Sequence, residues 1–132
     1  MDTVAQVCTG ITAVILIAVF PFEAFLIDRP WVQQFLGIEP HGIANVHLWS
    51  FCIGVRNALA GIGGLAGLWI LHNGDESTGV TVVVVSLLYI LLSSLAMGVA
   101  DLLGYWRPRG GSVRGTVASS VLPAIALAVI AV

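Results

Sequence analysis

The hydrophobic residues of the chain fall into four runs, each long enough to cross a membrane. The runs cover approximately residues 4–27, 46–71, 80–103 and 113–132, with charged and turn-forming residues between them. A helix needs about 20 predominantly apolar residues to span a bilayer core. The pattern therefore predicts an all-α fold, an integral membrane four-helix bundle that forms one transmembrane domain over residues 1–132.

The connection between the first two runs predicts a short extra helix. Asp28-Arg29-Pro30 resembles a helix start, because proline is well tolerated at the first helical position. One face of that helix would carry Trp31, Phe35 and Leu36, and the other would carry Gln33 and Gln34. This amphipathic pattern is typical of a helix that lies in the headgroup region of a membrane.

Composition supports a membrane protein and disfavours nucleic-acid binding. The chain is 58% hydrophobic and only 9% charged, with a mean hydropathy of +1.03 and a net charge of −2. A soluble domain usually has about a quarter of its residues charged. No continuous basic segment is present, so we expect the lipid bilayer and no nucleic acid as a partner.

The arginines predict the orientation of the bundle in the cell membrane. The first loop contains Arg29, and the third loop contains Arg107, Arg109 and Arg114. The second loop contains Asp75 and Glu76 but no arginine. Positive charges concentrate in cytoplasmic loops, so loops one and three are expected in the cytoplasm and both termini outside.

The second run contains an unusual charge, Arg56, which lies next to Asn57. Intramembrane arginines are costly and usually face the interior of a bundle. Helical spacing places Arg56 on one face with Gly63 and Gly67, a small-xxx-small pattern that allows close helix packing. We therefore expect Arg56 to point into a helix–helix contact.

Two carboxylates are candidates to balance Arg56, namely Glu23 near the end of the first run and Asp101 near the end of the third. The predicted topology puts all three at similar depth, with Glu23–Arg56 as the favoured pair. Glu23, Arg56, Asn57 and Asp101 then form a candidate ligand-binding or polar cluster, with His47 and Trp49 as secondary candidates. A purely structural cluster that fixes helix register is the alternative.

Motifs for catalysis, metals or cofactors do not stand out from the sequence. His41, His47 and His72 lack a recognisable ligand spacing, and Cys8 and Cys52 lie in apolar stretches. No metal, cofactor or catalytic residue is predicted.

Several short segments resemble one known family over nearly the whole chain. The resemblance rests on Glu23-Ala24-Phe25, Phe35-Leu36-Gly37-Ile38, Cys52-Ile53-Gly54 with Arg56-Asn57 after it, and Leu122-Pro123-Ala124-Ile125-Ala126. In this order and spacing they are similar to motifs of the domain-of-unknown-function 1304 proteins, which are small four-span bacterial membrane proteins. Glu23, Gly54 and Asn57 match the polar or special positions of those motifs, whereas Arg56 replaces a tyrosine. The resemblance implies the topology and leaves the activity open.

Three functions remain open at the level of sequence. The favoured one is a protein that binds or transports a small molecule through a polar cluster on the cytoplasmic side. The second is an accessory or assembly subunit, in a homo-oligomer or larger complex, which packs through its glycine-rich faces. The third is a membrane enzyme for a lipid-soluble substrate, with Glu23, His47 and Asn57 as polar groups, and it has the least support.

Overall fold

Five helices account for almost all of the chain, and no strand occurs in the part that the structure describes. The structure is a computed structural model that describes residues 1–38, 43–105 and 109–132, without side-chain detail at 43–45. The helices are α1 (Thr3–Ala24), α2 (Pro30–Leu36), α3 (Ile43–Asn73), α4 (Glu76–Leu102) and α5 (Val113–Ala131). All except α2 are long and apolar enough to cross a membrane, so the predicted all-α four-span bundle is confirmed.

The four long helices form a closed ring in which each is antiparallel to the next. α1 packs on α3 and α5, and α4 packs on the same two helices. We call the end of the bundle that holds α2, the end of α1 and the start of α3 the α2 end. The opposite end holds the tight turn between α3 and α4. There Asp75 accepts a hydrogen bond from the backbone N–H of Thr78, and bonding to Thr78 lowers the pKa of this carboxyl.

The predicted α2 helix is present, and Gln33 of its polar side faces the bundle. Pro30 occupies its first turn, and Gly37 ends it in a left-handed conformation (φ 71°). Val32 and Gln33 are buried, and Gln33 Nε2 donates to the backbone oxygen of Ile27. Gln33 thus lies opposite the exposed Trp31 and Phe35, and its amide satisfies a carbonyl outside any helix.

The aromatic residues of α2 face outward. Trp31 and Phe35 are exposed, and each packs edge-on against Phe22 of α1. Such amphipathic rings suit the headgroup level of a bilayer.

An apolar core fills the half of the bundle at the opposite end. It is formed by the buried residues Ala5, Cys8, Val83, Leu87 and Ala126. Small residues on α1 let the neighbouring helices approach closely. This half of the bundle therefore has an apolar core.

Glycines of α3 bring its backbone close to both neighbours. A Cβ at Gly61 would lie 2.7 Å from the backbone oxygen of Ala13 in α1. On another face of α3, a Cβ at Gly67 would lie 2.9 Å from the backbone nitrogen of Val83 in α4. Close packing on both faces of α3 therefore requires a residue without a side chain at each of these positions.

The contact between α3 and α4 continues through a side chain at Gly63. A Cβ at Gly63 would lie 2.8 Å from Ser86 Oγ, and no backbone atom of α4 lies within 4 Å of it. Further along, Ile53 lies on the helical line of Gly64 and Gly67, both of which are buried, yet Ile53 is 48% exposed. We call the part of α3 around Ile53, at the α2 end, the Ile53 region.

Alanine substitutions should lower stability at the close glycine contacts and leave it unchanged at the open ones. Gly61→Ala places a methyl group against the Ala13 carbonyl and should lower the free energy of unfolding by about 1–3 kcal/mol. Thermal unfolding in detergent, followed by size-exclusion chromatography, measures the change. Gly10→Ala is the matched control, because its Cβ would meet only Leu68 Cδ1 at 3.9 Å. Equal loss of stability in both variants would contradict the proposed packing.

Candidate functional site

Glu23 lies on the inward face of α1, at the α2 end. It follows Ala5, Thr12 and Leu16, which are all buried, at helical spacings of one face. Its carboxylate is half-buried, and Asn57 Nδ2 donates a hydrogen bond of 2.9 Å to Glu23 Oε2. The polar pair thus links α1 to α3 within two membrane-spanning helices.

Two further residues of α3 fix the position of Glu23. Ser50 Oγ donates a 2.6 Å hydrogen bond to the Glu23 backbone oxygen, near the end of α1. A Cβ at Gly54 would lie 3.1 Å from Glu23 Cβ, so the lack of a side chain at Gly54 allows Glu23 to approach α3 closely. Ser50, Gly54, Asn57 and Gly61 occur at helical spacings of a single face, and this is the face of α3 that contacts α1.

Arg56 does not join this pair. The predicted Glu23–Arg56 ion pair is therefore corrected, because the structure does not contain it. Arg56 is exposed, and no carboxylate oxygen of the described residues lies within 4.0 Å of its guanidinium nitrogens. Successive helical residues differ by about 100° in direction. Asn57 therefore faces α1, whereas Arg56 lies on the side of Gly63 and Gly67, which face α4.

The direction in which helical side chains lean also separates the two charges. Side chains tilt toward the N-terminus of their own helix. Glu23 on α1 therefore leans into the membrane, toward Asn57. Arg56 on the antiparallel α3 leans the other way, toward the α2 end and its headgroups. A long arginine side chain near a helix end can reach water in this way.

Asp101 has a different role from the predicted one. It is only 5% exposed and accepts hydrogen bonds from the backbone N–H groups of Gly110 and Ser112 and from Ser112 Oγ, at 2.8–3.0 Å. These bonds tie the α4–α5 connection to the end of α4. A carboxylate this fully bonded inside its own loop does not contribute to the cluster around Glu23.

The secondary candidates also lie apart from Glu23. His47 Nε2 is 2.7 Å from Asp28 Oδ1, a contact that joins α3 to the turn before α2. Trp49 is 63% exposed. His41 and Arg107 lie outside the described residues.

Sequence reasoning did not select three hydroxyl residues at this end of the bundle. Ser50 supports Glu23, and a signal for it existed in its spacing from Gly54 and Asn57. Thr116 Oγ1 and Ser120 Oγ in α5 are buried without a hydrogen-bond partner in the described part of the chain. Together with Glu23 they make this half of the bundle polar, in contrast to the apolar core at the other end.

The chemistry available at the pair is that of hydrogen-bond acceptance and negative charge. A carboxylate offers about four lone-pair sites, and the Asn57 amide uses one of them. Asn57 Oδ1 is a further acceptor. Within the described ranges, no group of three histidine, cysteine, aspartate or glutamate side chains could hold a metal ion. The pair can therefore bind a donor or a positively charged group directly.

A comparison with family models identifies one match. The family described as "Protein of unknown function (DUF1304)" matches residues 10–131. No curated protein and no solved structure matches the chain. The positions on which the resemblance depended, Glu23, Gly54 and Asn57, lie together in the structure.

Substitutions at the two adjacent residues of α3 should have different effects on stability. Asn57→Leu leaves the half-buried carboxylate of Glu23 without its amide donor and should cost about 1–3 kcal/mol. Arg56→Gln changes an exposed side chain and should stay within about 0.5 kcal/mol of the parent. Thermal unfolding in detergent compares the two variants. A larger loss of stability for Arg56→Gln than for Asn57→Leu would contradict this arrangement and indicate a Glu23–Arg56 ion pair.

Proposed function

The chain belongs to the DUF1304 family, and for this member we propose a multi-pass membrane protein that binds or transports a small molecule at the Glu23–Asn57 pair. The observation that carries the proposal is the Glu23–Asn57 pair. It lies on the inward faces of α1 and α3, at the α2 end of the bundle. Ionisable groups within membrane spans are costly and commonly mark ligand pathways.

The polar contents of this region support binding over a purely structural role. A contact that only holds helices together is most stable when each charged group has its hydrogen bonds satisfied, as Asp101 has in its loop. Glu23 instead has one neutral side-chain donor among the described residues and keeps free acceptor capacity. Ile53, which precedes the Gly54 that contacts Glu23, is 48% exposed, and we propose that a ligand enters beside it from the α2 end.

We also propose that the α2 end faces the cytoplasm. Of the described arginines, Arg29, Arg56, Arg109 and Arg114 all belong to that end, whereas Asp75 and Glu76 lie in the turn at the other. This distribution follows the excess of positive charge in cytoplasmic loops. A ligand would then enter from the cytoplasm.

Accessibility of the Ile53 region tests the binding proposal. Ile53→Cys, with Cys8 and Cys52 replaced by alanine, should react with the neutral reagent 2-hydroxyethyl methanethiosulfonate. Ala126→Cys in the same background is the control, because Ala126 is fully buried in the apolar core. A buried thiol reacts only after the bundle opens, so Ile53→Cys should react at least about tenfold faster.

If the Ile53→Cys thiol reacts as slowly as the buried Ala126→Cys control, the proposal is overturned. The Glu23–Asn57 pair would then be a closed contact that only fixes helix order, as in an accessory subunit.

Labelling in intact cells tests the orientation. Gln34→Cys in α2 and Ser77→Cys at the opposite end are both exposed positions. With a membrane-impermeant maleimide, Ser77→Cys should be labelled in intact cells and Gln34→Cys only after lysis, because the α2 end is proposed to be cytoplasmic. The reverse pattern would invert the topology.

A further inference from the structure

The outer face of α3 carries two hydrogen-bond donors at the α2 end that take no part in the contact with Glu23. Trp49 is 63% exposed, and Arg56, which follows seven residues later, is exposed as well. Seven residues are close to two helical turns, so the two side chains point in nearly the same direction. Both belong to the membrane span Val46–Asn73, and their exposed side chains therefore face lipid.

The two side chains lie on either side of the level at which α1 ends. Glu23, the last residue but one of α1, contacts the position of Gly54, so the end of α1 is level with Gly54. At about 1.5 Å per residue, Arg56 lies about 3 Å further into the membrane and Trp49 about 7.5 Å further out. Both lean toward the N-terminus of α3 and hence toward the headgroups. The Arg56 guanidinium is therefore within reach of the headgroup level.

The charges of the α2 end direct an anion to Arg56. No carboxylate oxygen of the described residues lies within 4.0 Å of its guanidinium nitrogens. The described carboxylates of this end have partners elsewhere, namely Glu23 with Asn57, Asp28 with His47 and Asp101 with its own loop. An arginine within a span is costly without a countercharge. On a lipid-facing surface, the phosphate group of a lipid is the anion at hand.

We propose that Arg56 and Trp49 bind the headgroup of an anionic phospholipid, on the outer face of α3 and in the leaflet at the α2 end. The Arg56 guanidinium would donate two parallel hydrogen bonds to the phosphate, a geometry that suits its planar fork. The Trp49 indole would lie against the headgroup, where amphipathic rings are favoured. Leu59, which is 61% exposed one turn further into the membrane, would contact an acyl chain.

The lipid would lie beside Ile53, where the proposed ligand enters, but the inference does not require that ligand. An anionic headgroup is favoured over a zwitterionic one, because Arg29, Arg109 and Arg114 also belong to this end. Each arginine near the membrane surface adds to the attraction of negative lipids. A carboxylate from a second copy of the chain is the alternative partner for Arg56, and it is an outcome of the test.

Fluorescence quenching by brominated lipid measures which lipid lies beside Trp49. The protein keeps Trp49 as its only tryptophan, with the other three replaced by phenylalanine. It is reconstituted into vesicles of dibrominated phosphatidylcholine that contain increasing amounts of unbrominated phosphatidylglycerol. Bromine quenches only nearby tryptophans, so recovery of fluorescence reports phosphatidylglycerol at this face. A variant that keeps only Trp69, which is 65% exposed at the opposite end, is the control.

Phosphatidylglycerol should bind beside Trp49 about fivefold more tightly than phosphatidylcholine, the effect expected from one arginine near the membrane surface. No preference is expected beside Trp69. Arg56→Gln should reduce the preference beside Trp49 to less than about twofold, because the charge that holds the phosphate is lost. Arg29→Gln is the matched control, since it removes an exposed arginine outside the four spans and should leave the preference in place.

Three results would overturn the proposal. Equal affinity of both lipids beside Trp49 in the parent would mean that Arg56 reaches water and not a lipid phosphate, and this result does not depend on the folding of a variant. A preference that survives Arg56→Gln would belong to the other arginines of the α2 end. A dimer in detergent that Arg56→Gln converts into a monomer would assign this face to a second copy. The Glu23–Asn57 pair faces α1, so the proposed function is tested separately.

Discussion

The close approach of α3 to both of its neighbours is the constraint on which the bundle depends. Gly61 admits the backbone of α1, and Gly67 admits that of α4. Because lipid supplies little hydrophobic drive between helices, such backbone contacts provide much of the packing. At Gly67 the backbones of α3 and α4 approach closely, and at Gly63 the Ser86 side chain of α4 fills the contact.

The antiparallel arrangement of α1 and α3 decides how the buried charges are distributed. Side chains on the two helices lean in opposite directions, so Glu23 enters the bundle and Arg56 leaves it. An amide, Asn57, therefore meets the carboxylate where an arginine had been expected. The single amide donor leaves the Glu23 carboxyl group with further acceptor capacity.

Much of the fold could be predicted from the chain because its signals are local. Apolar length defines each span, and Pro30 defines the start of α2. The contents of the site were harder to predict, since they depend on which helices become neighbours. Asp101 had been assigned to the cluster by depth alone, yet loop N–H groups from Gly110 and Ser112 reach it first. The pattern likewise could not show that the Gln33 amide would bond the Ile27 carbonyl.

The sequence by itself determined an all-helical, four-span protein and the residues that would matter, including Glu23 and Asn57. Periodicity and apolar length are sufficient for that, because each helix in a membrane must satisfy its own backbone. Only the tertiary structure decided that Asn57, and not Arg56, meets Glu23. Adjacent residues on a helix point about 100° apart, so the pairing depends on which face of α3 packs on α1.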